Sequence, residues 1–234
     1  MNIRTRIALC ATLAAAACSS GTKPADVAKP GPKAYVGLFG DNAVAVIDTG
    51  RNQVTKTIPV PAGPHGLVIT PDGAKVYVSS DGATTVSVIS TASDTVVASI
   101  DVGMTPHGLA ISPDGKRVVC AGFGTDTVLV IDTGTDAVAA RVSVPRPHNS
   151  TLTPDGKRAY VGSQQANAPA IAVVDLEAAV VTTSVPLPHA PRAAGQRATD
   201  DKQSAEQPQQ STPGFAFHSA SSLTNDAGAL PVPR

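Results

Sequence analysis

The apolar positions of this chain gather into short runs rich in Val and Ile and bounded by Gly, Pro, Asp and Thr, a pattern of strands rather than helices. The clearest unit predicts four strands in succession: His107 to Ser112, Lys116 to Gly122, Thr127 to Asp132 and Ala137 to Val144. Runs such as Val128-Leu129-Val130-Ile131 are apolar on both sides instead of alternating. That predicts sheets covered on both faces. Pro113-Asp114-Gly115 reads as a tight turn, in which Pro presets φ and Gly accepts the positive φ that closes it. Asp132-Thr133-Gly134-Thr135 is read as closing the next hairpin in the same way.

The unit repeats. Pro-Asp-Gly places Asp72, Asp114 and Asp155 at spacings of 42 and 41 residues, and Pro-His places His65, His107, His148 and His189 at 42, 41 and 41. A third marker at the end of an apolar run puts Asp48, Ser90, Asp132 and Asp175 at 42, 42 and 43. Three markers keeping one period define a repeat array. Four strands in about 42 residues is the size of a propeller blade, which buries both faces of its sheet against neighbours. The fold expected is therefore all-β, a β-propeller-like array of about four four-stranded blades over residues 34–190, partial or closed. Fifteen strands are predicted, because the first blade lacks its inner strand. After Ala190 the next inner strand and Pro-Asp-Gly do not come, and residues 191–234 read as a low-complexity, mostly disordered tail. Within the tail, Pro213-Gly214-Phe215-Ala216-Phe217-His218 faintly resembles the missing inner strand. Two arrangements follow: a ring closed by that segment, or an open arc whose exposed edge pairs with a second copy as a homodimer.

The segments PHGLVITPDGAKVYVSS, PHGLAISPDGKRVVCAG and VSVISTASDTVVASIDV resemble the YVTN-type β-propeller repeat proteins, an exported and cell-surface family of bacteria and archaea. The resemblance covers roughly Lys33 to Pro191. It implies the propeller fold and export. The Tyr-Val-Thr-Asn tetrad is not intact, its places holding Tyr35-Val36-Gly37, Tyr77-Val78-Ser79, Val118-Val119-Cys120 and Tyr160-Val161-Gly162. Propellers of the family commonly have seven blades, more than this chain supplies.

Charge and cysteine content narrow the partners. Eighteen Lys plus Arg balance eighteen Asp plus Glu, which removes the general attraction to phosphate and argues against a nucleic-acid partner. Three Cys without a C-x-x-C exclude a disulfide scaffold and a thiol-rich zinc site. Arg4 and Arg6 followed by the apolar run Ile7 to Ala17 predict a signal peptide over residues 1–17. The junction Ala15-Ala16-Ala17-Cys18 resembles the bacterial lipobox, although Leu is usual where Ala15 stands. It implies acylation of Cys18, with residues 18–33 a lipid-anchored linker and the domain held at a bacterial membrane or cell surface. Cys120, inside an apolar run, reads as core packing.

Candidate chemistry centres on His65, His107, His148 and His189, with Asp81 and Asp126 on loops expected at the same end. Converging neutral imidazoles near carboxylates could hold a divalent metal or another ligand. The alternative is that Pro-His-Gly is a structural crossover, and its repetition in every blade favours this. Asp72 and Gly73, Asp114 and Gly115, and Asp155 and Gly156 read as structural turns. No nucleophile, zinc-protease or nucleotide-loop signature occurs, and no cofactor is predicted. The reading favoured is a non-enzymatic binding or scaffold module presenting loops to a protein or small ligand. The alternative is a metal-assisted lactone hydrolase, implied by resemblance of fold alone.

Overall fold

The computed structural model describes residues 31–192. The signal segment, Cys18 and the tail fragment Gly214–His218 lie outside the described residues. Among the described residues fifteen strands form. The first blade holds three, β1 (Lys33–Leu38), β2 (Ala43–Asp48) and β3 (Gln53–Pro59). The second holds β4 (Pro64–Ile69), β5 (Lys75–Ser80), β6 (Thr85–Ser90) and β7 (Thr95–Asp101). The third holds β8 (Pro106–Ile111), β9 (Arg117–Gly122), β10 (Thr127–Asp132) and β11 (Ala137–Ser143). The fourth holds β12 (Pro147–Leu152), β13 (Arg158–Ser163), β14 (Ala170–Asp175) and β15 (Val180–Pro186). Each blade is an antiparallel meander with its strands in chain order.

Alternation along each strand divides its side chains between two neighbouring blades. Val76 and Val78 of β5 pack with Val44, Val46 and Ile58 of the first blade. Tyr77, between them, joins Val86, Val88 and Ile100 against Val118, Cys120 and Ile131 of the third. Val119, Val128 and Val130 then meet Ala159, Val161 and Val174 of the fourth. Because both faces are buried, apolar runs serve where alternation would otherwise be expected, each such side chain contributing about 1.5–3 kcal/mol. Cys120 lies wholly inside, where burial pushes its thiol up to about 12. A thiol so raised is core packing and not a nucleophile.

At the Pro-Asp-Gly segments the chain turns tightly. Asp72 Oδ1 accepts from Thr70 Oγ1 at 2.6 Å and Ala74 N at 2.9 Å, and Asp114 Oδ1 accepts from Ser112 Oγ at 2.6 Å and Lys116 N at 3.0 Å. In the fourth blade Asp155 Oδ1 accepts from Lys157 N at 2.9 Å. The hydroxyl donors foremost hold all three carboxyls below their ordinary range. Gly73, Gly115 and Gly156 have φ of 71°, 70° and 67°. A Cβ on Gly115 would also stand 2.8 Å from Pro71 Cδ of the preceding blade. Gly115→Val is therefore expected to cost about 1 kcal/mol or more. An unchanged melting temperature would show that the turn has no need of glycine.

The other hairpin closes differently from the reading given above. The positive φ falls on Asp136, at 51°, and not on Gly134. Its equivalents Asn52, Asp94 and Ala179 share it, at 52°, 52° and 55°. Three residues further on the register slips by one, opposite Val46 and Ile47, Val88 and Ile89, Val130 and Ile131, and Val173 and Val174. A left-handed residue ending a longer turn feeds a bulge, and Asn and Asp tolerate that conformation better than other side-chain-bearing residues.

The same turn residue anchors a clasp between blades. Asp94 accepts from Lys33 Nζ at 2.7 Å and from Tyr35 OH at 2.6 Å. One repeat on, Asp136 accepts from Lys75 Nζ at 2.7 Å and Tyr77 OH at 2.5 Å. Each lysine also reaches a backbone carbonyl, of Thr91 or Thr133. Burial, and then the bonded carboxylate, push both tyrosines well above their ordinary range.

Candidate functional site

Pro-His-Gly does not join strands; it opens the inner strand itself, at a bulge. Pro64 pairs with Ser80 and Pro106 with Gly122, but pairing resumes only at Leu67 and Leu109. In the fourth blade Pro147 pairs with Ser163 and pairing resumes at Ser150. At this bulge successive inner strands nearly touch. A Cβ on Gly66 would stand 2.6 Å from the His107 carbonyl oxygen, and one on Gly108 would stand 2.7 Å from that of His148. The Ser79 hydroxyl links the strands, accepting from Gly66 N at 2.8 Å and donating to the His107 carbonyl.

The close approach brings three of the four repeated histidines into a stack. His65 and His107 have ring centroids 3.7 Å apart with planes at 43°, and His107 and His148 are 4.0 Å apart at 44°. Phe123 lies 5.9 Å from His107 and stands edge-on 6.0 Å from His148. The Arg146 guanidinium carbon sits 3.9 Å over the Phe123 ring. His189, past the end of β15, is exposed and apart from the stack.

The two candidate aspartates are placed differently from one another. Asp81 follows β5, its N–H donating to the Gly63 carbonyl at 2.8 Å, and its charge favours the protonated forms of His65 and His148. Asp126 has φ of 52°, and its Oδ1 accepts from Arg146 N at 2.8 Å, so it ties the loop after β9 to the approach of β12. Asn42 does the same two junctions earlier, its Oδ1 accepting from Gly63 N at 3.0 Å. Among the described residues, no group of three His, Cys, Asp or Glu side chains is arranged to hold a metal ion.

Stacking decides the charge of the histidines. Desolvation foremost, and then the neighbouring imidazoles His65 and His148, lower His107 to about 3. Burial likewise lowers His65 and His148. All three are thus neutral near pH 7. Among the described residues, the buried Nδ1 atoms of His107 and His148 and the buried Ser150 hydroxyl have no hydrogen-bond partner.

A pH dependence follows. In the unfolded chain an imidazole takes up its proton near 6.5, whereas His107 in the fold does so only near 3. Between those values the unfolded state binds more protons, so stability is full above the unfolded pKa and falls as pH drops below it. The melting temperature is expected to decline between about pH 7 and pH 5, above the titration of most carboxylates, and His107→Gln is expected to shrink that decline. An equal decline in the variant would mean that His107 titrates normally.

Comparison with known proteins agrees with this architecture. Residues 31–117 match the family described as YNCE-like beta-propeller. The fold and the repeats are those of a β-propeller array, and over residues 31–117 the chain is similar to the YVTN/YNCE type. Among solved structures it is similar to hydrazine synthase of Kuenenia stuttgartiensis, with 24% identity over 71% of this chain and 52% of that one and a TM-score of 0.63. It is also similar to a functionally unknown protein from Desulfotomaculum acetoxidans DSM 771, with 19% identity over 65% of this chain and 52% of that one and a TM-score of 0.58. At these identities the likeness is one of fold, and the aligned part is about half the length of each solved chain. No curated protein matches.

Proposed function

We propose that this protein is an exported, lipid-anchored β-propeller module that binds a protein or small-molecule ligand beside the histidine stack and catalyses no reaction on it. The observation that carries the reading is the wall formed by His65, His107 and His148, ring upon ring, neutral and flanked by Phe123 and Arg146. Such a wall offers flat, weakly polar surface to an aromatic or aliphatic group, with one guanidinium at its margin for a carboxylate or carbonyl. Rings packed centroid to centroid and tilted by 43° and 44° offer a ligand their faces and edges. The Pro-Asp-Gly carboxylates are committed to their own turns, which supports a binding role over hydrolysis.

Metal analysis of the purified protein with and without a chelator, together with a lactone hydrolysis assay, separates the two readings. Binding without catalysis requires that chelation change neither stability nor hydrolysis. Loss of a tightly held metal together with loss of lactone hydrolysis would establish the enzyme instead. The anchor rests on the sequence Ala15-Ala16-Ala17-Cys18. Cys18→Ala is expected to move the protein from the membrane to the soluble exported fraction. Unmodified protein already found in that fraction would rule the anchor out.

A further inference from the structure

Each joint between blades is built of two unlike halves, and both recur with the repeat. The forward half of the second blade is Tyr77, Val86, Val88, Ile100 and Val102, facing the third. The rear half of the second blade is Val76, Val78 and Ile89, facing the first. By the same repeat the fourth blade presents a forward half, Tyr160, Ile171, Val173, Val185 and Leu187, and the first presents a rear half, Ala34, Val36, Ala45 and Ile47. Among the described residues, the three apolar clusters join neighbouring blades, and none joins the fourth to the first. At the margins of these faces Val36 is 43% exposed and Val185 46%, against 0% and 6% for Val78 and Ile100 at the equivalent places inside the array, while Ala45 and Val173 at their centres are buried.

The polar parts of the joint are divided in the same way. Arg158 and Tyr160 on the fourth blade occupy the places of the clasp donors Lys75 and Tyr77. Thr49 and Asn52 on the first occupy the places of the acceptors Thr133 and Asp136, and Asn52 keeps the left-handed backbone at φ 52°. The chain also leaves the fourth blade as though a further inner strand followed. Pro191 lies against Gly162, a Cβ there standing 3.1 Å from Pro191 Cγ, much as Pro64 lies against Gly37, where the distance to its carbonyl oxygen would be 3.2 Å. Gln164 Nε2 donates to the Pro191 carbonyl at 2.9 Å and Asn149 Nδ2 to that of Arg192 at 2.6 Å, fixing this exit.

We propose that two copies of this chain close head to tail into one eight-bladed ring, the forward face of each fourth blade seated on the rear face of the other copy's first blade. Among the described residues no apolar cluster covers either face, and a second copy of the chain carries the complementary half of each. Eight blades lie within the range of propeller rings, and a two-fold axis makes the two joints identical. The apolar part of each new joint then repeats the packing seen at the three joints within the chain. The proposal rests on the joints alone and is independent of the ligand reading.

The test is the mass of the full processed chain in detergent, with the bound detergent subtracted, by light scattering over a dilution series. Two chains are expected. Val36→Glu should yield single chains at concentrations at least tenfold above those at which the parent separates, while Val97→Glu, on an exposed outer position of β7, should leave the mass unchanged. The pairing itself is read by Asn52→Cys with Tyr160→Cys and a short bismaleimide, since Cys120 is buried and unreactive. A product of two linked chains is expected. A bridge within a single chain would mean a four-bladed ring, and a dilution-independent monomer or no bridge at all would equally overturn the proposal.

Discussion

Gly66→Ala is expected to lower stability by about 2–3 kcal/mol, or roughly 5–10 °C in melting temperature, although it adds a single methyl group. Its Cβ would stand 2.6 Å from the His107 carbonyl oxygen, 2.8 Å from Leu109 N and 2.8 Å from Ser79 Oγ. Two of these three atoms are backbone of the next blade, so relief requires the inner strands to separate. That separation would also open the histidine stack and break the Ser79 bridge. Two other glycines calibrate the effect. Gly40 has nothing within 4 Å and no positive φ, so Gly40→Ala should be near neutral. Gly73 also has open space but a φ of +71°, so Gly73→Ala should cost about 1 kcal/mol from backbone strain alone. A Gly66→Ala protein as stable as the Gly40→Ala protein would mean that the inner strands do not approach this closely.

Asp136→Ala should cost a comparable amount, about 2–3 kcal/mol. Tyr77 is fully buried and its hydroxyl donates to Asp136, so truncation removes the acceptor of a buried donor. Lys75 retains the Thr133 carbonyl at 2.8 Å, which limits the loss on that side. Alanine at φ 51° adds strain of its own. Asp136→Asn separates the contributions, because it keeps an acceptor oxygen and tolerates the left-handed backbone while removing the charge. The double variant with Tyr77→Phe should be less destabilised than the sum of the two single changes, since no stranded hydroxyl remains. Strict additivity, read from denaturant midpoints, would show that the clasp carries no coupling energy.

Much of this was legible in the sequence, for reasons that can be stated. Two periods are superimposed, one of strand length and one of about 42 residues, and each is fixed by side chains whose local role is strong. Pro-Asp-Gly dictates its turn almost by itself, and the alternate faces of Val76, Tyr77 and Val78 follow once neighbours lie on both sides. In the second hairpin Gly134 is the natural carrier of a positive φ by residue type, whereas the longer turn places it on Asp136. The clasp does have a signal in the sequence. Lys33 and Tyr35 stand 61 and 59 residues before Asp94, and Lys75 and Tyr77 keep the same spacings to Asp136. The repeat of Pro-His showed that the histidines were equivalent. Whether their rings converge or stack depends on the bulge and on the distance between inner strands, neither of which a spacing records. His189 shares the motif but stands outside the stack, since no further inner strand follows it among the described residues.

The central claim is that the propeller's inner wall is a stack of neutral imidazoles, and the protonation of His107 tests it most directly. Imidazole carbon and nitrogen shifts followed by NMR through a pH titration, with His107→Gln assigning the signal, report that proton. The His107 resonance is expected to keep its neutral shifts through about pH 5 and to titrate, if the fold survives, only near 3. A midpoint near the ordinary histidine value, about 6.5, would contradict the stack and the binding wall built on it.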